Sequence, residues 1–150
     1  MIYSESFLSP VGEITVFADE SFLREIRFSG NTNADNPNSV TKQTVTELRE
    51  YFDGKRKTFT VPFSPQGTDF QKRVWSALCT VPYGKTATYG DIARKIGNEK
   101  AYRAVGNANG RNPIPIIIPC HRIVASDGIG GYSSGLEIKR LLLKLENAEI

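Results

Sequence analysis

Residues 62–67 read Pro-Phe-Ser-Pro-Gln-Gly, and neither a helix nor an interior strand can run through them. Each proline removes a backbone donor and fixes φ, and the glycine behind them loosens the chain, so regular structure must stop and restart there. The two sides differ in pattern. Over the first 30 residues apolar side chains alternate with polar ones; after the break they recur mainly every three or four residues. Residues 1–68 carry 7 basic and 9 acidic side chains, whereas residues 69–150 carry 12 and 7. In a chain of 150 residues with 39% hydrophobic side chains, these shifts predict a small domain over 1–66 and a second over 67–150. The expected fold class is α+β: a small N-terminal antiparallel β-sheet with a helix, followed by a mostly α-helical C-terminal domain.

The first domain opens as a meander. Glu13-Ile14-Thr15-Val16-Phe17-Ala18 and Phe22-Leu23-Arg24-Glu25-Ile26-Arg27-Phe28 both alternate, with Asp19-Glu20-Ser21 as the turn between them. Ser9-Pro10-Val11-Gly12 marks an earlier turn. Residues 30–39 form a polar loop. A helix over 40–52 follows, with Val45, Leu48 and Phe52 on its inner face and Gly54 as its stop.

In the second domain, Thr68-Asp69-Phe70-Gln71 is a capping box that predicts a helix burying Phe70, Val74, Ala77 and Leu78. A turn at Pro82-Tyr83-Gly84-Lys85 leads to a second box, Thr88-Tyr89-Gly90-Asp91, and a short helix with Ile92 and Ile96 inward and Gly97 at its end. Asn98 is placed to cap another helix over 99–109. Two short helices about a Gly-Asn turn have the outline of a helix-turn-helix. Residues 112–120, Asn-Pro-Ile-Pro-Ile-Ile-Ile-Pro-Cys, predict a rigid extended segment. After a flexible loop over 127–131, Ser134-Gly135-Leu136-Glu137 predicts the cap of a last helix, with Ile138, Leu141, Leu142 and Leu145 as its core stripe.

The chain has two cysteines, Cys79 and Cys120, and one histidine, His121. That excludes a four-ligand zinc site from one chain and a disulfide-rich scaffold. No strictly apolar run is longer than Ile116-Ile117-Ile118, so no membrane span is expected. Met1-Ile2-Tyr3-Ser4-Glu5 shows no signal-peptide pattern, and a cytoplasmic protein with both thiols free is the expectation. Cys79 ends an amphipathic helix and reads as a packing residue. Cys120 differs: it ends a proline-fenced segment, precedes His and Arg, and lies near glycines that suit close approach of a ligand. A thiolate is the reactive form, and a neighbouring imidazole can generate it. On an extended chain, however, sequence neighbours point to opposite faces, so the pairing needs a kink or a bridging water. Within 85–111, Lys85, Arg94, Lys95, Lys100, Arg103 and Arg111 outnumber Asp91 and Glu99. This is the composition of a phosphate-facing surface and, more commonly, of a solvated helix face.

Ile118-Pro119-Cys120-His121-Arg122-Ile123-Val124 resembles the active-site motif of the O6-alkylguanine-DNA alkyltransferases, the methylated-DNA–protein-cysteine methyltransferases. The likeness runs in order from the helix at Phe70 through Pro82-Tyr83-Gly84-Lys85, Thr88-Tyr89, Arg103-Ala104-Val105-Gly106 and Asn112-Pro113 to Gly130-Gly131-Tyr132-Ser133 and the terminal helix. It implies a ribonuclease H-like N-terminal domain and a single-turnover repair reaction without metal or other cofactor. An alkyl group on O6 of guanine, or O4 of thymine, moves to the cysteine sulfur, and the thioether is not recycled. On this resemblance Cys120 is the nucleophile, His121 the base acting through a water, and Glu146 the group that orients His121. Asn112 is a hinge holding the active-site turn, and Tyr89 is the phenol that meets charge on the departing base. Arg103 fills the place of an extruded nucleotide. Ala101, Ala104 and Gly106 give a small-residue surface for the minor groove, with Arg111 beside it, although Tyr102 and Asn107 depart from that smallness. The backbone at Ile123 and Ser133 reads the guanine edge, and Tyr132 walls the pocket. Some relatives carry a structural zinc in the N-terminal domain; this chain has no cysteine or histidine there, so none is expected. The implied partner is double-stranded DNA containing O6-alkylguanine, bound by a monomer, with cooperative binding on DNA left open.

Three other readings compete. An alkylguanine-binding relative without chemistry would replace the cysteine, typically with tryptophan, and Cys120 stands against it. A transcription regulator would leave Cys120 and His121 idle. A thiol hydrolase would leave the DNA-facing features idle.

Overall fold

The computed structural model describes residues 1–29 and 35–148, and these residues fall into two compact units, Met1–Gln66 and Gly67–Ile150. The first unit is a three-stranded antiparallel sheet with one helix. Strands β1 (Tyr3–Ser9), β2 (Gly12–Ala18) and β3 (Leu23–Arg27) lie in the order β1-β2-β3, with Phe7 opposite Ile14 and Val16 opposite Ile26. Ile14, Val16, Ala18, Leu23 and Ile26 are buried and form the sheet's share of the core. Of the expected polar loop over 30–39, residues 30–34 lie outside the described residues. Asn36 pairs with Ser4, and Asn38 begins helix α1 (Ser39–Phe52). The Asn38 side chain accepts from the Thr41 amide at 2.9 Å, and Thr41 Oγ1 accepts from the Asn38 amide at 2.8 Å, a reciprocal cap that satisfies two orphan donors. Tyr51, rather than Phe52, completes the inner face with Val45 and Leu48, because it stands three residues after Leu48 and falls on the same side of the helix.

The second unit is mostly helical. Helix α2 (Asp69–Leu78) is capped by Thr68 and Gln71. Its core residues are Val74, Trp75, Ala77 and Leu78, while Phe70 is half-buried. Trp75 takes the larger share because its indole N–H reaches the Ala108 carbonyl at 2.8 Å, which removes the cost of burying that donor. Gly67 permits this: a Cβ there would lie 2.6 Å from the Trp75 ring. Cys79 is exposed at the helix end, so it is not the packing residue expected of it. Gly84, in the left-handed region at φ 79°, closes the turn after Pro82, and a short strand β4 (Ala87–Thr88) leads into α3 (Tyr89–Lys95), capped by Thr88 and Asp91. Beyond Gly97 the expected continuous helix is two pieces, a 3₁₀ turn (Glu99–Ala101) and α4 (Tyr102–Gly110), and the Asn98 side chain makes no cap bond. Helix α4 packs on both α2 and α3.

Two further expectations are corrected. Residues 112–120 do not form an extended strand. The Ile118 amide bonds back to the Ile114 carbonyl at 2.9 Å, and Ile116 sits at φ 73°. Ile114, Ile116 and Ile118 are nonetheless all fully buried, so a folded-back loop buries the apolar run as well as a strand would. After the 3₁₀ turn Cys120–Arg122, strand β5 (Ile123–Val124) pairs in parallel with β4. In α5 (Leu136–Leu145), Gly135 occupies the cap position with no side-chain bond, so Ser134 does not cap it. The buried stripe is Lys139, Leu142, Leu143 and Glu146; of the expected Ile138, Leu141, Leu142 and Leu145 only Leu142 lies in it, and Leu141 is 46% exposed. One residue of phase is about 100° of rotation.

Glu47 is the chief buried charge of the first unit. Its carboxylate accepts from the Thr60 amide (2.7 Å) and hydroxyl (2.7 Å), the Val61 amide (3.3 Å) and Gln43 (2.8 Å). Burial acts to raise its pKa, but these donors outweigh burial and hold it below the usual carboxylate range. Glu47→Ala is therefore expected to cost about 2 kcal/mol in urea unfolding at neutral pH. Because the folded state holds the depressed pKa, this stabilisation is present above the unfolded pKa and is lost as pH falls through the folded one. The wild-type and Glu47→Ala stabilities should accordingly converge in acid.

Candidate active site

The imidazole and the carboxylate expected from the family motif meet, and the thiol precedes the imidazole in one tight turn. The Cys120 amide donates to the Ile118 carbonyl at 2.8 Å and the Arg122 amide to the Pro119 carbonyl at 3.0 Å. This 3₁₀ turn is the kink that an extended segment lacked. Asn112 fixes its entry: its side-chain amide donates to the Ile118 carbonyl at 2.7 Å, and its oxygen accepts from the Ile114 amide at 2.9 Å. From α4, the buried Asn109 reaches the Cys120 carbonyl at 3.4 Å. Ile116, a β-branched residue in the left-handed region, holds strain of about 1–3 kcal/mol four residues before the thiol.

Cys120 is 5% exposed. Burial pushes its thiol above the ordinary value, while hydrogen bonding from Asn112 and Tyr132 and the positive charge of Lys139 act to favour the thiolate. His121 is fully buried, and its Nε2 lies 2.7 Å from Glu146 Oε2. A carboxylate only accepts, so Nε2 carries the hydrogen, and the neutral ring has its lone pair on Nδ1. Among the described residues Nδ1 has no hydrogen-bond partner. Burial pushes the His121 pKa down, Glu146 opposes that, and the charges of Arg122 and Lys139 add to it. Thiol and imidazole are thus both biased towards their uncharged forms.

Glu146 lies at the end of α5, 3% exposed. Arg122 grips it at both oxygens (Nε to Oε1 2.8 Å, Nη2 to Oε2 3.0 Å), and the Gly84 amide adds a contact at 3.3 Å. Arg122 also donates to the Val81 carbonyl at 2.8 Å and stacks over the Tyr83 ring at 5.7 Å. Sequence reasoning missed Arg122 in this role and missed Lys139 altogether. Lys139 is fully buried, with Nζ on the carbonyls of Ile123 (2.6 Å) and Gly131 (2.9 Å), and burial lowers its pKa to about 8. The available signal was its spacing: 139, 142, 143 and 146 share one helix face.

Tyr89 is brought near by the β4–β5 pairing, which sets Ala87 against Ile123 and Thr88 against Val124. Its hydroxyl accepts from the Gly131 amide at 3.4 Å, leaving the phenolic hydrogen to donate elsewhere. Gly130, at φ 76°, has no room for a Cβ, which would stand 3.0 Å from that hydroxyl and 3.1 Å from the Ala125 amide. Ile123 is buried and Tyr132 half-buried, whereas Ser133 is exposed. On the 3₁₀–α4 segment, Arg103 and Ala104 are exposed, with Ala101 and Gly106 half-buried. Arg103 lies 6.0 Å from the Tyr102 ring centre. The exposed Arg111 donates to Asn107 at 3.3 Å. The α4 helix among them is linked to the Cys120 turn by the Asn109 side chain. No group of three or more His, Cys, Asp or Glu that could hold a metal ion occurs among the described residues.

A buried cysteine in a tight turn, followed by a histidine paired with a buried carboxylate, on a helical domain that exposes Arg103 and Arg111, is an arrangement suited to thiol chemistry beside an anionic partner. Comparison with known proteins agrees. The family model described as 6-O-methylguanine DNA methyltransferase, ribonuclease-like domain, matches residues 2–65, and that described as 6-O-methylguanine DNA methyltransferase, DNA binding domain, matches residues 69–148. A methylated-DNA–protein-cysteine methyltransferase of Methanosarcina acetivorans is 47% identical, over 98% of this chain and 99% of its own. The Mycobacterium tuberculosis OGT solved in complex with DNA superimposes with a TM-score of 0.88 at 43% identity, covering 97% of this chain and 92% of that one. Schizosaccharomyces pombe Atl1, solved with damaged DNA containing O6-carboxymethylguanine, matches 57% of this chain and 82% of its own at 36% identity and a TM-score of 0.50. The chain belongs to the methylated-DNA–protein-cysteine methyltransferase family.

Removing the carboxylate would leave a guanidinium and an imidazole without their partner in a buried site. Glu146→Ala is therefore expected to lose about 3–5 kcal/mol of stability, measured by urea unfolding. Glu146→Gln, which still offers one acceptor oxygen, should lose less.

Proposed function

We propose that the protein repairs DNA by moving an alkyl group from O6 of guanine, and from the similarly placed O4 of thymine, to Cys120 in one turnover. The observation that carries this reading is the buried Cys120 turn beside the His121–Glu146 pair, in a chain that matches both family domains. The thiol proton passes through a water to His121 Nδ1. The sulfur then forms a bond to the alkyl carbon as the carbon–oxygen bond breaks, and the electron pair of that bond leaves with the base. Guanine is a poor leaving group, so a donor aimed at its developing charge lowers the barrier; Tyr89, with its acceptor side taken by Gly131, is that donor. Glu146 fixes the ring of His121, and Asn112 holds the turn. The product is a thioether, and nothing in the step regenerates the thiol.

Residues 67–150 carry the DNA surface and the acceptor site, and residues 1–66 act as an accessory domain. Duplex DNA meets the 3₁₀–α4 segment in its minor groove, where Ala101, Ala104 and Gly106 allow close approach. Arg103 enters the stack as the damaged nucleotide swings out, and Arg111 meets the backbone. Such binding reads little sequence and weakens with salt. The guanine edge meets the backbone at Ile123 and Ser133, with Tyr132 as a wall. The protein works as a cytoplasmic monomer and uses no cofactor. Cys120 separates it from an alkylguanine-binding protein without chemistry, in which that cysteine would be replaced.

Incubation with a duplex bearing O6-methylguanine should add the mass of one methyl group per chain, mapped to Cys120 by peptide analysis. No gain, or a gain on the exposed Cys79, would refute the assignment. Arg103→Ala should slow repair of the duplex by at least about tenfold while leaving reaction with the free alkylated base within about twofold. Equal loss on both substrates would count against nucleotide extrusion by Arg103.

A further inference from the structure

We propose that Arg122 is a positioning residue for the transfer: by holding both oxygens of Glu146 it fixes the carboxylate against His121 and takes up its charge, so that the imidazole stays neutral with Nδ1 open. The role rests on Cys120 being the alkyl acceptor and His121 its base. His121 and Arg122 are consecutive in a 3₁₀ turn, and that turn sends both side chains to one carboxylate, at 2.7 Å from the ring and at 2.8 and 3.0 Å from the guanidinium. A buried carboxylate facing only an imidazole would draw a proton onto the ring, and an imidazolium has no lone pair with which to take the thiol proton. The guanidinium, which cannot release its own proton, meets that demand first. Arg122 is itself immobilised by the Val81 carbonyl and the Tyr83 ring, and is 6% exposed.

Four other charged or titratable groups lie around the pair. At the end of α2, desolvation holds the Cys79 thiol above its ordinary value, while the Arg122 charge acts the other way. Lys139, from α5, adds a positive charge that works in the same direction on His121 and is held by the carbonyls of Ile123 and Gly131. Tyr83, from the turn after α2, has its hydroxyl 3.4 Å from the Leu145 carbonyl, and burial and Glu146 push its pKa up, so it stays neutral. Cys120 is biased to the thiol by burial. Glu146 alone pulls a proton towards the ring, and it is the group that Arg122 holds.

His121 is the sole histidine, so its ring nitrogens can be titrated by 15N NMR without ambiguity. In the wild-type protein at neutral pH, Nε2 should carry the hydrogen and Nδ1 should be bare; an imidazolium or the opposite tautomer overturns the proposal. In Arg122→Gln, the ring should hold its proton about tenfold more tightly, an upward shift of one pH unit, and the acid limb of the single-turnover rate should move with it. Arg122→Lys keeps the charge but meets one oxygen, so a smaller upward shift, about threefold, is expected. Near-ultraviolet circular dichroism of the single Trp75 reports folding. If Arg122→Gln does not fold, Arg122→Lys decides. An unshifted titration in a folded variant, or an acid limb that does not follow it, overturns the role. The titration needs no DNA, so a wild-type protein that failed to accept methyl would defeat the reading of Cys120 without deciding that of Arg122.

Discussion

A carboxylate removed from water must be neutralised by the protein, and the buried charge of Glu146 organises everything around it. Arg122, His121 and the Gly84 amide converge on its two oxygens, which ties the end of α5 to the nucleophile turn and to the turn at 82–85. Such a cluster adds little net stability compared with an apolar one, because desolvation offsets most of the attraction. Its value is directional. Each partner accepts one geometry, so the ring of His121 has a defined orientation, with Nε2 on the carboxylate.

The same cluster accounts for the phase of α5. Leu141, Leu142 and Leu143 are consecutive, so rotating the helix by one residue trades one buried leucine for another at little cost in apolar burial. What the rotation changes is the polar pair. The observed phase puts Glu146 under Arg122 and Lys139 against the carbonyls of Ile123 and Gly131; the alternative would expose both. Polar satisfaction, not hydrophobic area, sets the register here. Lys139 then links β5 to the Gly130–Gly131 loop, and that loop in turn packs on Tyr89.

Much of the fold was legible because local chemistry and tertiary packing agree. The alternating strands, the capping boxes at Thr68 and Thr88 and the Gly84 turn all stand where side-chain spacing puts them. Legibility failed where a residue had two compatible fates. Residues 112–120 are as apolar as a buried strand, but the prolines and the Asn112 bonds fold them into a loop. Cys79 sits on an amphipathic helix, yet at its last turn, where the chain leaves the core. Trp75 is buried because a carbonyl 33 residues away accepts its indole N–H, and no local pattern encodes that distance.

Within the site, Cys120 and His121 stood out in the sequence by scarcity and adjacency, and the family motif around them carried the expectations for Glu146, Asn112 and Tyr89. The sequence by itself determined the chemical inventory: one proline-fenced thiol beside the only imidazole, small residues and cations on a short helix, and a break that splits the chain. Only the tertiary structure decided which ring nitrogen faces Glu146, that Arg122 shares the carboxylate, and that Lys139 is buried with its amine on the carbonyls of Ile123 and Gly131. The reason is physical. Side-chain identity and periodicity act over one or two turns of chain, whereas the state of a buried charge is set by every dipole and charge folded around it, wherever in the sequence these lie.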